Sequence, residues 1–466
     1  MSLTQISKES REDRHGNLDR LHEITEILQK HQVAHGVTPE KLCAILVDLG
    51  PTFIKLGQIL SMRSDILPQE YCKALTSLQS NVAPMPFEEV TRIIEQAFGQ
   101  EMGELFEEFS EEPLGSASIG QAHKAVLKDG RQMVVKVQRP GIHDVMSRDI
   151  TLLKKGAALL KVTPVAGLVD FNQVLDEMWT VAQQEMNYVI EADNLERFHA
   201  LNADVAFVTC PEVSREYTTT NVLTMEFVKG IAVNDKEKLL ARGYDLEEIG
   251  TKLADNYIRQ VLEDGFFHAD PHPGNIRIRD GKIVWIDMGM MGVLGDRDRR
   301  LIAQCVLAMA RGDTRRVVST VMQLGEFHKP VDKRRLTEDV KTMLDKYATA
   351  ELGSLDLSAV MTEVIDLMKL HDASMPAGLS TLARGLATIE GVVEDLSPSI
   401  QIVNVASARI SGMLLREFDW KGLLRNDLTS VTDSAHKALN LPAQISDLLA
   451  TLNTGDEAIR MSIEPG

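Results

Sequence analysis

Residues 265–292 read GFFHADPHPGNIRIRDGKIVWIDMGMMG, and the fold turns on how that stretch is read. Asp280-Gly281 separates Asn275-Ile276-Arg277-Ile278 from Ile283-Val284-Trp285-Ile286. Asp-Gly between two β-rich runs signals a tight hairpin with a type I′ turn. An antiparallel hairpin returns the chain to its starting end. The polar cluster His268-Ala269-Asp270 with Asn275 before the hairpin, and Asp287 after it, are therefore expected to converge.

Two carboxylates and an amide oxygen suit Mg²⁺, a hard cation that takes oxygen ligands and shares phosphate oxygens. Asp, five residues to Asn, then Asp-x-Gly is the order of a kinase catalytic loop and metal loop. Taken alone, the stretch also fits an ordinary surface turn, because Asp, Asn, Gly and Pro all favour turns. A lysine and a nucleotide loop upstream are needed to decide.

Residues 113–137, PLGSASIGQAHKAVLKDGRQMVVKV, supply both. Small residues at 115–118 predict a tight loop, followed by a strand, a second hairpin turn at Asp129-Gly130, and a strand Met133–Val137. The spacing from Gly115 to Gly120 imitates a P-loop. Gln121-Ala122 stands where a P-loop needs Lys-Ser/Thr, and a hairpin follows instead of a helix, so the P-loop reading fails. The stretch resembles a kinase nucleotide loop, where small residues let the backbone approach phosphates. Lys136 lies in the apolar run Val134-Val135-Lys136-Val137. A buried ammonium needs a partner, and the candidates are a phosphate pair and a carboxylate.

Glu185 and Glu191 lie within a predicted helix at 172–200. If it is unbroken, they sit about 120° apart around the axis and face different partners. The plainer reading is two solvated glutamates.

The N-terminal hundred residues read as helical. Leu18, Leu21, Ile24, Ile27 and Leu28 recur at helical spacing. Thr38-Pro39-Glu40 is an N-cap with proline at the first helical position. The helix it opens contains Lys55-Leu56-Gly57-Gln58, and Pro51 is expected to kink or divide it. Pro68 opens another helix, and Pro84-Met85-Pro86 precedes a third that ends near Gly99. Beyond a helix at 144–161, strands are predicted near 205–209 and 222–227. From 235 the chain reads as mainly helical apart from the 276–286 hairpin, with helices at 235–242, 246–264, 297–311, 314–324, 333–351, 356–370, 378–394 and 402–417. An amphipathic piece spans Leu439–Leu452; a membrane surface, a partner or core packing would each suit it.

The 466 residues are 44% hydrophobic and 25% charged, as in globular proteins, with a formal net charge of −18. That charge argues against nucleic acid as a partner and against simple adhesion to anionic lipid. Four cysteines lie far apart without metal-ligand spacing, which fits reduced cytosolic thiols. The polar N-terminus is not a signal peptide, and no apolar run approaches the roughly 20 residues that span a bilayer.

Together, LGPTFIKLGQILSMRSDILPQEY (49–71), PLGSASIGQAH (113–123), VVKVQRPGI (134–142), EMNYVIEADN (185–194), FFHADPHPGN (266–275) and IDMG (286–289) resemble the motifs of the UbiB family, also called AarF- or ADCK-type atypical kinase-like proteins. The motifs occur in the family's order over roughly residues 40–300. The resemblance implies an α+β, two-lobed protein-kinase-like fold: a disordered N-terminus (1–16), a helical extension (17–112), a small β-containing N-lobe (113–228), a mainly helical C-lobe (229–400) and a helical tail (401–466).

It also implies roles. Lys136 resembles the lysine on the α/β-phosphates of ATP, and Glu191 its ion-pair partner. Asp270 takes the catalytic-loop position, with Asn275 and Asp287 as metal ligands for Mg²⁺. Leu114, Gly115, Ser116, Ala117, Ser118 and Gly120 resemble the nucleotide loop, which is alanine-rich in this family. Lys55 and Gln58 match the Lys-x-Gly-Gln signature on a helix that covers the site where a protein kinase receives its peptide, and Glu185 opens the associated Glu-x-Asp motif.

Several positions depart from the pattern. Asn187 stands where the family often has Asp, which is expected to alter a polar contact to the covering helix. Gly115 and Ser116 replace alanines and are expected to loosen the loop. Ala269 replaces the arginine of many protein kinases, which argues against control by activation-loop phosphorylation. Many bacterial relatives carry membrane helices after the kinase-like region; this sequence contains none, which is expected either of a naturally soluble member or of a trimmed chain.

The activity implied is that of a Mg-dependent ATPase or a small-molecule or lipid kinase supporting ubiquinone or other isoprenoid-lipid biosynthesis. A nucleotide-gated scaffold for lipid-biosynthetic enzymes is the alternative, and an ordinary protein kinase a third reading. The chain is expected in the cytoplasm, with a peripheral position on a membrane left open.

Overall fold

Prolines open the helices near the start of the computed structural model, which describes residues 19–33, 36–61, 67–78, 83–160, 171–310, 312–327, 330–348, 357–374 and 377–417. The expected disordered stretch 1–16 and the amphipathic piece Leu439–Leu452 lie outside the described residues. Thr38 caps helix Pro39–Leu49, its hydroxyl accepting from the Lys41 amide. Gly50, at φ 95°, ends that helix, and Pro51 starts the next, Pro51–Ser61. Proline thus divides the expected helix in two. Gln69–Leu75 follows Pro68, and Phe87–Phe98 runs from Pro86 to a left-handed Gly99.

The chain forms two units. The first holds Met1–Glu196 with Glu212–Phe227, the second Arg197–Pro211 with the residues from Val228 onward.

In the first unit an antiparallel sheet runs in the order Phe106–Phe109, Gly120–Leu127, Gln132–Gln138, Val222–Glu226, with Gly115–Ser116 also paired to the second strand. The hairpin turn falls at Lys128–Arg131, where Gly130 takes φ 86°. In the third strand Met133, Val135 and Val137 are buried against helix Phe87–Phe98, so strand alternation sends Lys136 to the other face. A separate apolar cluster unites the helices Pro39–Leu49 and Pro51–Ser61 with Ile142–Leu160 and Phe171–Glu185.

The single helix expected at 172–200 is broken. Phe171–Glu185 stops, and Tyr188–Leu201 starts after Met186-Asn187. Asn187 Oδ1 accepts from the Val189 amide at 3.1 Å, which caps the second helix. The backbone exposed by the break is satisfied from the sheet. Gln138 Nε2 donates to Met186 O at 2.6 Å, and the Tyr188 amide donates to Thr220 O at 3.0 Å.

In the second unit, strands Val208–Thr209, Lys282–Trp285, Ile276–Arg279 and Ile231–Ala232 form one sheet in that order. The hairpin pairs Lys282 with Arg279 and Trp285 with Ile276. Asp280 and Gly281 both have positive φ, 51° and 71°, as a type I′ turn requires. The described helices of this unit are Lys236–Ala241, Leu246–Arg259, Asp296–Ala310, Thr314–Leu324, Lys333–Ala348, Leu357–Leu370, Ala377–Leu396 and Ile402–Glu417.

The reading of this region as helical apart from the hairpin missed two short ladders. Phe266–His268 pairs with Met291–Val293, and Glu326–Phe327 with Ala373–Ser374. Strands of two or three residues carry too few alternations to be seen in a sequence. Residues 260–264 also widen into a π-turn at the end of the helix expected through 264.

Candidate functional site

Lys136 is held by Glu191. Its Nζ lies 2.6 Å from Glu191 Oε1, and the two side chains are 16% and 6% exposed. The strand supplies the lysine, and the first turn of the helix capped by Asn187 supplies the glutamate. Lys55, on helix Pro51–Ser61, pairs with Glu185, the last residue of the preceding helix. Gly57 lets this helix pack tightly, since a Cβ there would come within 2.5 Å of Leu78. Gln58 Nε2 donates to Leu78 O at 3.0 Å.

The segment 114–120 folds back on the strand that follows. The Leu114 amide donates to Ala122 O, and the Ala117 amide to Gly120 O at 2.8 Å. Gly120 has no room for a side chain: a Cβ would stand 2.5 Å from Val137 O and 2.6 Å from the Tyr188 hydroxyl. Gly115 meets no such limit.

Ser118 is buried. Ser116 does not simply loosen the loop, because its hydroxyl accepts from Arg139 at 2.8 Å. Arg139 also donates to Ala117 O and Ala83 O, and burial pushes its pKa down. Sequence reading gave Arg139 no role, although it directly follows the lysine strand. Gln121 is buried and takes the Met85 amide on its Oε1.

Asn187 has a local duty. Its side-chain oxygen caps its own helix, a task Asn and Asp perform about equally.

In the second unit the hairpin brings Asn275 beside the segment leading to Asp287, where the Ile286 amide donates to Asn275 O at 2.9 Å. Asn275 Nδ2 donates to Asp270 O at 3.2 Å, which turns the amide's NH₂ toward the loop and leaves Oδ1 as the atom of this side chain that could hold a cation. Asp287 Oδ1 accepts from the Gly289 amide at 2.9 Å.

His268 joins the two loops. Burial lowers its pKa, against the opposing pull of Asp287 and Asp270. The Asp270 amide donates to Nδ1 at 3.1 Å, so Nε2 carries the proton and donates to Asp287 O at 2.6 Å. The imidazole stacks on Trp285 at 5.2 Å between centroids.

A buried amide chain fixes the backbone behind the ring. Asn256 Nδ2 donates to Asn202, Gln260 Nε2 donates to Asn256, and Gln260 Oε1 accepts the His268 amide at 3.0 Å. Sequence reading saw His268 as one member of a polar cluster and missed Asn256 and Gln260, whose signal is only their apolar surroundings.

Among the described residues, no group of three or more His, Cys, Asp or Glu could hold a metal. Asn275 and Asp287 alone do not make such a group; with phosphate oxygens added, an amide oxygen and a carboxylate could hold a hard cation. No described helix is long and apolar enough to cross a membrane.

The family model described as the ABC1 atypical kinase-like domain matches residues 77–321, and the UbiB helical domain matches residues 340–401. A protein of Cellvibrio japonicus named "Probable protein kinase UbiB" is 33% identical over 431 residues, covering 91% of this chain and 78% of its own. The Arabidopsis thaliana protein "Activity of bc1 complex kinase 7, chloroplastic" is 31% identical over 443 residues, covering 93% of this chain and 64% of its own. A Mycobacterium tuberculosis protein, solved in complex with erythromycin, shares the fold at a TM-score of 0.53 and 22% identity, covering 87% of this chain and 97% of that one. With its α+β architecture and its motifs in place, the chain belongs to the UbiB family of atypical kinase-like proteins.

Proposed function

We propose that this protein binds Mg-ATP and transfers its γ-phosphoryl group to water or to a small, lipid-like acceptor. The observation that carries the reading is the Lys136–Glu191 ion pair, which presents an oriented ammonium on a sheet strand. Lys136 would neutralise the α/β-phosphates, with segment 114–120 against the nucleotide. Asn275 Oδ1 and the Asp287 carboxylate would hold Mg²⁺, which supplies charge neutralisation at the phosphate oxygens. Asp270 would take the proton of the attacking hydroxyl as its oxygen bonds to phosphorus.

The Lys55–Glu185 pair supports a non-peptide acceptor. It anchors the Lys-x-Gly-Gln helix, which in this family occupies the peptide position. Membership of the UbiB family supports a role in ubiquinone or other isoprenoid-lipid biosynthesis, with a quinone-like lipid as partner.

The same pair favours one second reading. Nucleotide binding that disturbs it would move the helical extension, and the protein would then act as a nucleotide-gated scaffold. Asp270→Asn separates the two. Phosphoryl transfer predicts that ATP still shifts the melting temperature of this variant while turnover and downstream function disappear. Survival of function in the variant would favour the scaffold.

A further inference from the structure

Asp270 is fixed at its backbone from both sides. Its amide donates to His268, and its carbonyl accepts from Asn275 and from the His272 amide. Its carboxylate is held differently. Among the described residues one side chain reaches it, Arg384, whose Nη2 lies 3.5 Å from Asp270 Oδ1. Arg384 comes from helix Ala377–Leu396, far along the chain and inside the segment that matches the UbiB helical domain.

The approach of that helix is built in. At Gly385, the next residue, a Cβ would stand 2.1 Å from the Tyr257 hydroxyl and 3.3 Å from His268 O. The Tyr257 hydroxyl itself donates to His268 O at 3.0 Å. At Gly378, near the helix start, a Cβ would stand 3.1 Å from Val293 O. Two glycines therefore bring one helix against the strand that leads into Asp270 and against the strand that leaves the Asp287 loop. Arg384 and Asp270 are 20% and 33% exposed, so the pair is neither sealed from solvent nor free in it.

We propose that Arg384 is a positioning residue for Asp270 and makes the helical domain part of the phosphoryl-transfer machinery. The inference rests on the transfer reaction proposed above. In that reaction the acceptor O–H proton passes to the Asp270 carboxylate, the acceptor oxygen bonds to the γ-phosphorus, and the bond to ADP breaks with its electron pair leaving on ADP. A carboxylate beside a phosphoryl group meets repulsion from like charge. A guanidinium beside Oδ1 compensates that charge and favours a rotamer that leaves Oδ2 for the acceptor. The binding of ATP is left to Lys136 and the nucleotide loop, so Arg384 acts on turnover and not on nucleotide affinity.

The test is steady-state ATP turnover by the full chain with Mg²⁺, for wild type, Arg384→Ala, Arg384→Gln and Arg384→Lys, beside ATP-induced thermal shifts. Arg384→Ala is expected to lower kcat roughly 10- to 100-fold with KM for ATP within about threefold. Arg384→Lys should recover part of the loss, because it restores the charge without the planar fork. Arg384→Gln carries the same test if the alanine variant does not fold. Unchanged kcat in the variants, or a loss confined to KM, overturns the role and leaves the proposed reaction standing. Absence of turnover in the wild type overturns the reaction and this role with it.

Discussion

Glu185 and Glu191 lie six residues apart on either side of a helix break and hold different lysines, Lys55 and Lys136. In an unbroken helix the two carboxylates would be fixed at about 120° to each other by helical geometry. The break at Met186-Asn187 frees that angle. One glutamate then anchors the helical extension, and the other orients the lysine of the sheet.

The Lys55–Glu185 pair is mostly buried, with side chains 11% and 9% exposed. Removing one partner leaves the other charged in a desolvated place. Lys55→Ala or Glu185→Ala alone should cost about 3 kcal/mol of stability. The double variant should cost much less than the sum. Thermal unfolding of the four proteins checks this, and additive losses would mean that the pair is not formed.

Asn187→Asp should be stability-neutral, whereas Asn187→Ala should cost about 1 kcal/mol through loss of the cap. Chemical denaturation of both variants decides it. A large loss in Asn187→Asp would show that the residue has a partner sensitive to charge.

Gly115 and Gly120, in the segment proposed to lie against the nucleotide, should separate cleanly. Gly115→Ala meets nothing within 4 Å and should leave ATP binding intact. Gly120→Ala drives a methyl group against Val137 O and should weaken ATP-induced stabilisation by roughly tenfold or more in apparent affinity, at roughly 2 kcal/mol of lost stability. Nucleotide titrations followed by thermal shift measure both.

Asp264 gives a pH signature. Burial lifts its carboxyl to about 6, outweighing the attraction of Arg259 and Arg409. The folded protein therefore holds a proton there that the unfolded chain releases near pH ~4. This contribution to stability is present at low pH and is lost as pH rises through about 6. Asp264→Asn removes the cost and should raise stability at pH 7.5 by roughly 1–3 kcal/mol, with a smaller gain at pH 5. An equal gain at both pH values, or a loss at the higher one, would contradict the assignment.

The hairpin was legible because Asp280-Gly281 is a local signal with one steric solution. The helix starts at Pro39 and Pro51, and the one directly behind Pro86, were legible for the same kind of reason. The break at Met186-Asn187 was not. Nothing in EMNY forbids a helix; the Asn187 cap is local, but Gln138 and Thr220, which take up the exposed backbone groups, are distant in sequence.

Arg139 and Arg384 were invisible for a related reason. Arg139 sits inside the matched stretch 134–142 and Arg384 outside any, but the arginine itself carries no sign of what it will reach, and both reach segments far away or beyond a turn. His268 was seen but had no assigned role, because its role depends on which ring nitrogen the Asp270 amide meets.

The most direct test of the central claim is ATP hydrolysis by the purified chain, with and without Mg²⁺ and with and without liposomes, beside Asp287→Asn. Hydrolysis is expected to require Mg²⁺ and to disappear in the variant, with any stimulation by liposomes directing the search toward lipid acceptors. Hydrolysis of equal rate in Asp287→Asn, or none in a wild type that still binds ATP, would contradict it.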